Sequence, residues 1–373
     1  MPVFLFFYFA IYGGAHGYLL FRTVRSFHLS APWPALLAAV SLFMVAAPIL
    51  VRLLERAALE FPARVVGYLG YLWMGFFFLF LSATIAFDLL RFVLFLAGRL
   101  LQRDLGFSDP VLLFAAMSLA AAALLYGLFE ARHLRVEQVV LHSPKIPKAA
   151  GRVRIVQISD VHLGLMVGKE QLDKMLRQVS LLKPDLLVST GDLVDGQMDG
   201  LKGLDDLLAT VKPPLGKFAV LGNHEVFAGV APSTTFTERG GFKLLREGAV
   251  EVSDWLTVAG VDDPAAMRGK TAVSDLSVLA ALPRERYTIL LKHRPGLEKG
   301  ALGLFDLQLS GHVHKGQIFP FNLITHLAYP VKMGLSQTGG GSLLYVSRGT
   351  GTWGPPARVL APPEITVIDL LPS

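Results

Sequence analysis

Hydropathy divides this chain into two parts that need different surroundings. The first third is dominated by Phe, Leu, Ala and Val, whereas charged residues reach the frequency of soluble proteins from about residue 130 onward. Four apolar stretches approach or reach the roughly 20 residues that an α-helix needs to cross a bilayer. These stretches are residues 3–21, 34–51, 65–87 and 111–129. The sequence therefore predicts a transmembrane region of four helices within residues 1–130.

The first apolar stretch has an alternative interpretation as a secretory signal peptide. No Lys or Arg precedes it, its apolar length exceeds that of a signal peptide, and no clear small-residue cleavage motif follows it. We therefore expect the first stretch to be retained as a membrane helix.

The positions of Lys and Arg predict which side of the membrane holds the rest of the chain, because cytoplasmic segments are enriched in these residues. Four crossings place the second connector on the same side as the segment after the fourth stretch. These two regions are the richer in basic residues, namely Arg52, Arg56, Arg64, Arg132, Arg135, Lys145, Lys148, Arg152 and Arg154. We predict a cytoplasmic soluble part, although Arg91, Arg99 and Arg103 in the third connector oppose this orientation.

Three polar residues within the apolar part have either a functional or a structural role. Asp88 and Arg91 are three residues apart on one helix face, and His16 lies among the glycines at positions 13, 14 and 17. Ionisable residues inside a membrane can form an ion or proton path. Asp88 and Arg91 lie at the end of the third stretch, however, where a charge pair can reach the interface, and glycine-rich faces indicate close helix packing. We expect the structural role.

Composition excludes sites that depend on cysteine and argues against a nucleic-acid partner. The chain has no cysteine, which rules out disulfides and thiolate-bound metals. Its net charge of +6 is modest, and no basic tract is interleaved with aromatic residues as in a nucleic-acid-binding surface. We expect no nucleic-acid partner.

Beyond the apolar part, the hydrophobic pattern becomes typical of an α/β domain. Residues 131–152 are predicted as a linker, because Pro144 and Pro147 interrupt helix formation. From residue 153 to residue 373, short β-rich runs alternate with segments of helical periodicity, which predicts a layered α/β domain. Two late β-rich runs, residues 343–347 and 364–371, are expected to complete a second sheet.

Five short motifs each follow a β-rich run, at residues 153–159, 185–190, 217–221, 287–292 and 305–310. The motifs are Asp160-Val161-His162, Gly191-Asp192, Gly222-Asn223-His224-Glu225, His293 and Gly311-His312-Val313-His314. The carboxyl ends of strands in an α/β sheet are where ligands bind, so these side chains are expected to converge. Their imidazole, carboxylate and amide groups are suitable ligands for two adjacent divalent cations.

This ordered set of motifs resembles the calcineurin-like metallophosphoesterase superfamily, in particular its membrane-associated bacterial branch with transmembrane helices. The segment Gly316-Gln317-Ile318 and residues 347–351 and 354–356 share the likeness. The resemblance covers the soluble part only. It implies a sandwich of two sheets flanked by helices, a dinuclear metal centre, and a protein of the bacterial inner membrane.

The resemblance also implies a role for each motif residue. One cation would be held by Asp160, His162 and His314, and the other by Asn223, His293 and His312. Asp192 would bridge the two cations, which agrees with electrostatics, because close positive charges repel unless an anion lies between them. The metals would be Mn, Fe, Zn or Mg, and they would activate water for attack on phosphorus.

The resemblance also implies that His224 faces the substrate rather than a metal. It would be the catalytic residue that protonates or stabilises the leaving oxygen. The alternative is that it only orients the phosphate.

Six further polar residues lie in or near the motifs. Four acids are expected to act as turn residues or as hydrogen-bond acceptors behind the ligands: Asp195, Glu225, Asp262 and Asp263. Arg348 would either clamp a phosphate or stabilise a loop. Lys315 follows His314 where many relatives have Gly, and would either be solvated or face an anionic substrate.

An apolar run over residues 318–324 follows the last motif and suggests an apolar surface beside the metals. Because a membrane region belongs to the same chain, we expect a lipid-linked phosphodiester or pyrophosphate as substrate. The alternative is that this run packs in the core or at an interface, and that the substrate is a phosphodiester, phosphomonoester or pyrophosphate without a lipid. Two other classes of function are alternative interpretations of the sequence. One is a non-catalytic membrane sensor or scaffold that binds a phosphorylated ligand, and the other is a transporter with an accessory hydrolase.

Overall fold

The structure is a computed structural model that describes residues 2–198, 200–267 and 274–373. The chain forms two compact units. One comprises Met1–Phe129 with Gly354–Val359, and the other comprises Glu130–Trp353 with Leu360–Ser373.

The first unit is helical. Its helices are α1 (Pro2–Tyr8), α2 (Gly14–Ser26), α3 (Trp33–Arg56), α4 (Glu60–Leu101) and α5 (Asp109–Ala131). Among the described residues, α3, α4 and α5 are long and apolar enough to cross a membrane. A π-helical segment, Phe9–Gly13, joins α1 to α2, so the first predicted stretch is helical as well. A crossing by that stretch, and hence the number of four spans, remains a prediction.

Close packing in the helical unit occurs at a different glycine from the ones expected. A Cβ atom built at Gly13, Gly14 or Gly17 would meet no described atom within 4 Å, so the prediction of close packing there is wrong. A Cβ at Gly70 of α4 would lie 2.6 Å from the Cβ of Ala47 in α3.

His16 is held by aromatic residues of α4. Trp73 Nε1 donates a hydrogen bond to His16 Nε2 over 2.8 Å, and the His16 ring stacks on Phe77 with centroids 3.6 Å apart. These contacts support the structural role that we expected for this residue.

Asp88 and Arg91 pair with other residues rather than with each other. Arg22 of α2 contacts Asp88 at 2.5 Å and Asp109 at 2.9 Å, and Arg91 contacts Asp109 at 2.7 Å. The expected pair within one helix is therefore replaced by a network that joins α2, α4 and α5.

The second unit is an α/β domain. Its strands are β1 (Arg135–Ser143), β2 (Val153–Ile158), β3 (Leu186–Ser189), β4 (Lys217–Ala219), β5 (Lys243–Leu244), β6 (Gly248–Ser253), β7 (Leu256–Val261), β8 (Tyr287–Lys292), β9 (Leu307–Ser310), β10 (Gly334–Gln337), β11 (Leu343–Val346) and β12 (Glu364–Pro372). Its helices are α6 (Lys169–Leu181), α7 (Leu204–Ala209), α8 (Asn223–Ala228), α9 (Val230–Arg239), α10 (Asp275–Leu279) and α11 (Phe321–Ala328).

The strands form two mixed sheets with orders β1-β12-β2-β3-β4-β5 and β10-β11-β9-β8-β7-β6. Alternate residues of one strand enter different cores, as expected from the two-residue period of a strand. Ile155 of β2 packs in a core that also contains Ile289 of β8, whereas Val156 packs in a core with Leu176 of α6. The described domain is thus a two-sheet sandwich with helices on its outer faces.

The last strand and the predicted linker differ from expectation. β12 lies between β1 and β2 in the first sheet, so the prediction that residues 364–371 complete a second sheet is wrong. The predicted linker, residues 131–152, contains β1, whose Val139 pairs with Ile368 of β12. The prolines that suggested a linker follow β1 and do not interrupt it.

Candidate metal centre

The loops that carry the five motifs follow parallel strands and are joined by backbone hydrogen bonds. β2, β3 and β4 are parallel neighbours in one sheet, as are β7, β8 and β9 in the other. The N–H groups of Asp160 and His162 donate to the carbonyls of Gly191 and Asp192, each over 3.0 Å. The N–H of Gly311 donates to the carbonyl of His293 over 2.9 Å. Residues distant in sequence are thereby fixed at one edge of the domain.

Five of the motif residues have left-handed backbone, which non-glycine residues rarely adopt. The φ angles are 51° for Asp160, 54° for His162, 52° for Asp192, 73° for His312 and 47° for His314. Such conformations persist only where the surrounding structure enforces them, and they cluster at functional sites.

The glycines of the motifs allow the backbone to approach the ligand side chains. A Cβ at Gly222 would lie 2.1 Å from Asp192 Oδ1, and one at Gly311 would lie 2.2 Å from Asp160 Oδ2. Gly191 has a φ of 94° and its Cβ would lie 2.8 Å from His293 Nδ1. The motifs therefore need glycine next to their ligands for steric reasons.

The first group of converging atoms belongs to Asp160, His162 and His314. His162 Nε2 lies 3.1 Å from His314 Nε2, which lies 3.3 Å from Asp160 Oδ1. One ligand atom from each of the three buried residues falls within 4.8 Å of the others, as required of groups that could share one metal ion.

The second group consists of Asp192, His293 and His312. One ligand atom from each of these residues also lies within 4.8 Å of the others. His293 Nε2 lies 3.2 Å from Asp192 Oδ2, 3.1 Å from His312 Nδ1 and 3.2 Å from Asn223 Oδ1. The amide oxygen of Asn223 therefore adds a fourth donor to this group.

Asp192 lies near both groups. Its Oδ2 is 4.0 Å from His162 Nε2 of the first group and 3.2 Å from His293 Nε2 of the second. His162, Asp192 and His224 form a further set within the same distance, so His224 lies beside the carboxylate. The N–H of His224 donates to Asp192 Oδ1 over 2.9 Å.

The ring nitrogens that face away from the groups have their own partners. His293 Nδ1 lies 2.9 Å from the carbonyl oxygen of Thr190, which can only accept, so Nδ1 donates and Nε2 is the nitrogen that faces the group. His312 Nε2 lies 3.0 Å from the hydroxyl of Tyr329. Partners of this kind orient metal-ligating imidazoles.

Two acids support the site from behind. Asp195 Oδ1 lies 3.0 Å from His224 Nδ1 and 3.4 Å from His162 Nδ1, so one carboxylate orients both rings. The Glu225 carboxylate accepts hydrogen bonds from the N–H groups of Asp192 and Gly222, at 2.9 and 2.7 Å. Both positions agree with the expected role as acceptors.

The electrostatics of the site favour anionic carboxylates. Burial raises the pKa of Asp160 and Asp192, but the surrounding histidines outweigh it and the pKa of each falls below its usual value. Burial and the neighbouring positive charges of His293 and Arg294 lower the pKa of His312 to about 4, which leaves a neutral ring. Burial opposes protonation of His293, yet Asp192 and Asp160 raise its pKa to about 10. The same negative field would attract a divalent cation.

The remaining predicted residues lie in ion pairs or in solvent. Asp262 pairs with Arg246 at 2.6 Å and Asp263 with Arg294 at 2.7 Å. Arg348 contacts Glu364 at 2.8 Å and also pairs with Glu137, which favours the loop-stabilising alternative over a phosphate clamp. Lys315 is exposed.

Sequence reasoning missed two aromatic residues of the site. Tyr329 contacts His312, and Trp353 lies with its ring centroid 5.8 Å from that of His224. Trp353 is 52% exposed, and Gln317 holds its backbone through hydrogen bonds to the N–H and the carbonyl. Neither aromatic residue lies in a motif, so no local signal identified it.

Comparison with known proteins agrees with this geometry. The family model described as calcineurin-like phosphoesterase matches residues 153–316. An "uncharacterized metallophosphoesterase" of Aquifex aeolicus is 40% identical over 248 residues, which cover 66% of this chain and 95% of the relative. The chain belongs to the calcineurin-like metallophosphoesterase family.

Two other relatives extend the comparison. An uncharacterized metallophosphoesterase of Campylobacter jejuni is 33% identical over 295 residues, which cover 77% of each chain. A "transmembrane protein with metallophosphoesterase domain" of Danio rerio is 33% identical over 276 residues, which cover 68% of this chain and 62% of the relative. Together with the three long apolar helices, this likeness supports membrane association.

Proposed function

We propose that this protein is a membrane-anchored phosphoesterase that uses two divalent cations to hydrolyse a phosphodiester, a phosphomonoester or a pyrophosphate. The observation that carries the proposal is the pair of ligand groups that meet at Asp192. One cation would be held by Asp160, His162 and His314. The other would be held by Asn223, His293 and His312, and Asp192 would serve both.

The donor set fits Mn, Fe, Zn or Mg, because it consists of imidazole nitrogens and of carboxylate and amide oxygens without thiolate. When bound, such cations lower the pKa of water and neutralise charge on phosphoryl oxygens. The residues of the chain supply the rest of the chemistry. The Asp192 carboxylate offsets the repulsion between adjacent positive charges, and Asp195 keeps the rings of His162 and His224 in place.

Metal dependence is the direct test of the proposal. The purified full-length protein, freed of metal with a chelator, is expected to be inactive on a panel of phosphomonoesters, phosphodiesters and pyrophosphates. Mn, Fe, Zn or Mg should each be assayed for restoring turnover. Metal binding without turnover on any phosphoester would instead favour a sensor or scaffold that only binds a phosphorylated ligand.

We assign to His224 the role of protonating or stabilising the leaving oxygen, because it is buried beside Asp192 and oriented by Asp195. His224→Ala should leave the metal content unchanged and lower turnover about 10²- to 10³-fold for an alkyl leaving group. The loss should be much smaller for p-nitrophenol, which needs no acid.

His142→Ala, at an exposed histidine of β1, is the matched control and should behave as wild type. An equal loss for both leaving groups would leave only the phosphate-orienting role. A loss of metal from His224→Ala would instead indicate a ligand.

The substrate that we favour is lipid-linked, because α11 and the turn before it carry exposed apolar side chains close in sequence to His314. Leu327 is 85% exposed, and Phe319, Leu323 and Ile324 are exposed as well. Burying one such side chain against an acyl chain contributes roughly 1.5–3 kcal/mol.

Leu327→Glu should therefore lower kcat/KM about tenfold for a long-chain phosphodiester in detergent micelles. It should leave kcat/KM for bis(p-nitrophenyl) phosphate unchanged. Leu181→Glu is the matched control, because Leu181 at the end of α6 is 75% exposed. Equal kcat/KM of the two variants for the long-chain substrate would contradict a lipid-binding role of α11.

We propose that the protein is integral to a bacterial inner membrane, with four spans and the phosphoesterase unit in the cytoplasm. The distribution of basic residues around the spans supports this orientation. A reporter enzyme that works only in the cytoplasm should be active when it is fused after Ser373, whereas one that works only in the periplasm should be inactive. Activity of a periplasmic reporter at that position would reverse the orientation.

A further inference from the structure

The helical unit contains a cavity of about 530 Å³ whose walls are rich in basic side chains. Its charged and polar lining consists of Arg22, Arg25, Ser26, His28, Arg91 and Asp109. Neither the phosphoesterase chemistry nor the predicted packing of the apolar helices requires such a cavity.

The cavity lies where helices end. Ser26 is the last residue of α2 and Asp109 is the first residue of α5. In a helix bundle that crosses a bilayer, the ends of the helices mark the interface between hydrocarbon and water, where headgroups lie. With the proposed spans in a bilayer, the cavity would lie at the depth of lipid phosphates.

Part of the lining is a fixed framework of ion pairs. Arg22 donates to both oxygens of Asp88, at 2.5 and 2.8 Å, and to both oxygens of Asp109, at 2.9 and 3.2 Å. Ser26 Oγ donates to Asp109 over 2.6 Å, and Arg91 reaches the same carboxylate. The Arg22 side chain is only 11% exposed, so its position is held from all sides.

The framework leaves positive charge without a partner. The carboxylates of Asp88 and Asp109 pair with Arg22 and Arg91. The charge of a third guanidinium at the cavity is therefore in excess. Within the described ranges of the chain, the Arg25 guanidinium and the His28 ring have no ion pair or side-chain hydrogen bond. Both side chains are exposed at the cavity. They can bind an anion without breaking any existing pair.

Aromatic side chains at the same cavity indicate which anion fits. Tyr18 and Phe21 also line it, and Phe21 is 65% exposed. Aromatic residues concentrate at the membrane interface, where one side of the ring is apolar and the other polar. A soluble phosphate would gain nothing from these rings, whereas a lipid would place its acyl chains against them.

We propose that this cavity binds the headgroup phosphate of an anionic glycerophospholipid, with Arg25 and His28 as the phosphate-binding side chains. Basic pockets between membrane helices recognise anionic headgroups in this way. The proposed lipid is a bound component of the helical unit rather than a substrate, and the inference is independent of the proposed phosphoesterase activity.

Native mass spectrometry of the full-length protein in neutral detergent tests the proposal, with phosphatidylglycerol, phosphatidylcholine and glycerol 3-phosphate as probes. Phosphatidylglycerol should bind about tenfold more tightly than phosphatidylcholine, because its phosphate carries an uncompensated charge. Arg25→Gln should weaken phosphatidylglycerol binding about tenfold and leave hydrolysis of bis(p-nitrophenyl) phosphate unchanged.

Arg52→Gln, at an exposed arginine of α3 outside the cavity, is the matched control and should bind as wild type. His28→Gln gives a second measurement on an exposed residue if Arg25→Gln does not fold. Equal binding by the cavity variants and the control would overturn the proposal, as would equal affinity for phosphatidylcholine. Competition by glycerol 3-phosphate at the affinity of the lipid would assign the cavity to a soluble phosphate instead.

Discussion

Asp192→Asn is expected to lower phosphoester turnover about 10³-fold. The amide has nearly the shape of the carboxylate and can still accept the hydrogen bond from the N–H of His224. It lacks the negative charge that would hold two cations close together in the proposed site, however, so their mutual repulsion would no longer be offset. We expect the purified variant to retain one metal ion or none.

Metal content, measured by mass spectrometry of the purified protein, and turnover should be compared with those of Asp254→Asn. Asp254 is an exposed acid in the turn between β6 and β7, so its replacement removes the same charge from a site without ligands. Two bound metal ions and normal turnover in Asp192→Asn would contradict the bridging role.

Gly222→Ala is expected to lower turnover at least about 10²-fold by displacing Asp192 without changing any ligand. The added Cβ would lie 2.1 Å from Asp192 Oδ1 and 2.6 Å from the backbone nitrogen of Asp192, distances at which the loop has to shift. A displacement of about 1 Å at a catalytic centre costs on the order of 10²-fold in rate.

Gly168→Ala provides a close control for this substitution. Gly168 precedes α6 with φ −102° and ψ −159°, and Gly222 precedes α8 with φ −99° and ψ −171°. A Cβ at Gly168 would meet no described atom within 4 Å, so the two substitutions differ only in what the methyl group contacts. Activity assays and circular dichroism of both variants would separate displacement of the ligand from loss of fold. Equal activity would show that the loop accommodates the methyl group.

Much of the candidate site could be predicted from the sequence, because each ligand motif follows a recognisable strand. Asp160 is the second residue after the end of β2, and His293 is the first residue after the end of β8. A buried strand has a local signature of apolar β-rich residues, and the end of a parallel strand has a known place in an α/β domain. The local hydrophobic pattern and the known topology of α/β domains were therefore sufficient to predict that the motifs lie at one edge of the domain.

Contacts between distant segments could not be predicted in the same way. The pairing of β12 with β2 is one such contact, because an apolar strand carries no local information about which neighbour it pairs with. Arg22 was not expected to join Asp88 to Asp109, since those residues lie 66 and 87 positions away along the chain. Tyr329 lies in no motif. It directly follows α11 and contacts His312, which lies 17 positions earlier in the chain.

The sequence by itself determined the α/β class of the second unit and the apolar helices, because these follow from composition and periodicity along a few neighbouring residues. Its ordered motifs, through their likeness to a known family, predicted the candidate ligand residues. Only the tertiary structure decided which atoms meet: the position of Asp192 between two histidine groups, the glycines that admit it, and the basic cavity among the helices. The physical reason is that hydrophobic periodicity is local, whereas the packing of side chains is settled by steric fit and charge between segments that are far apart in the chain.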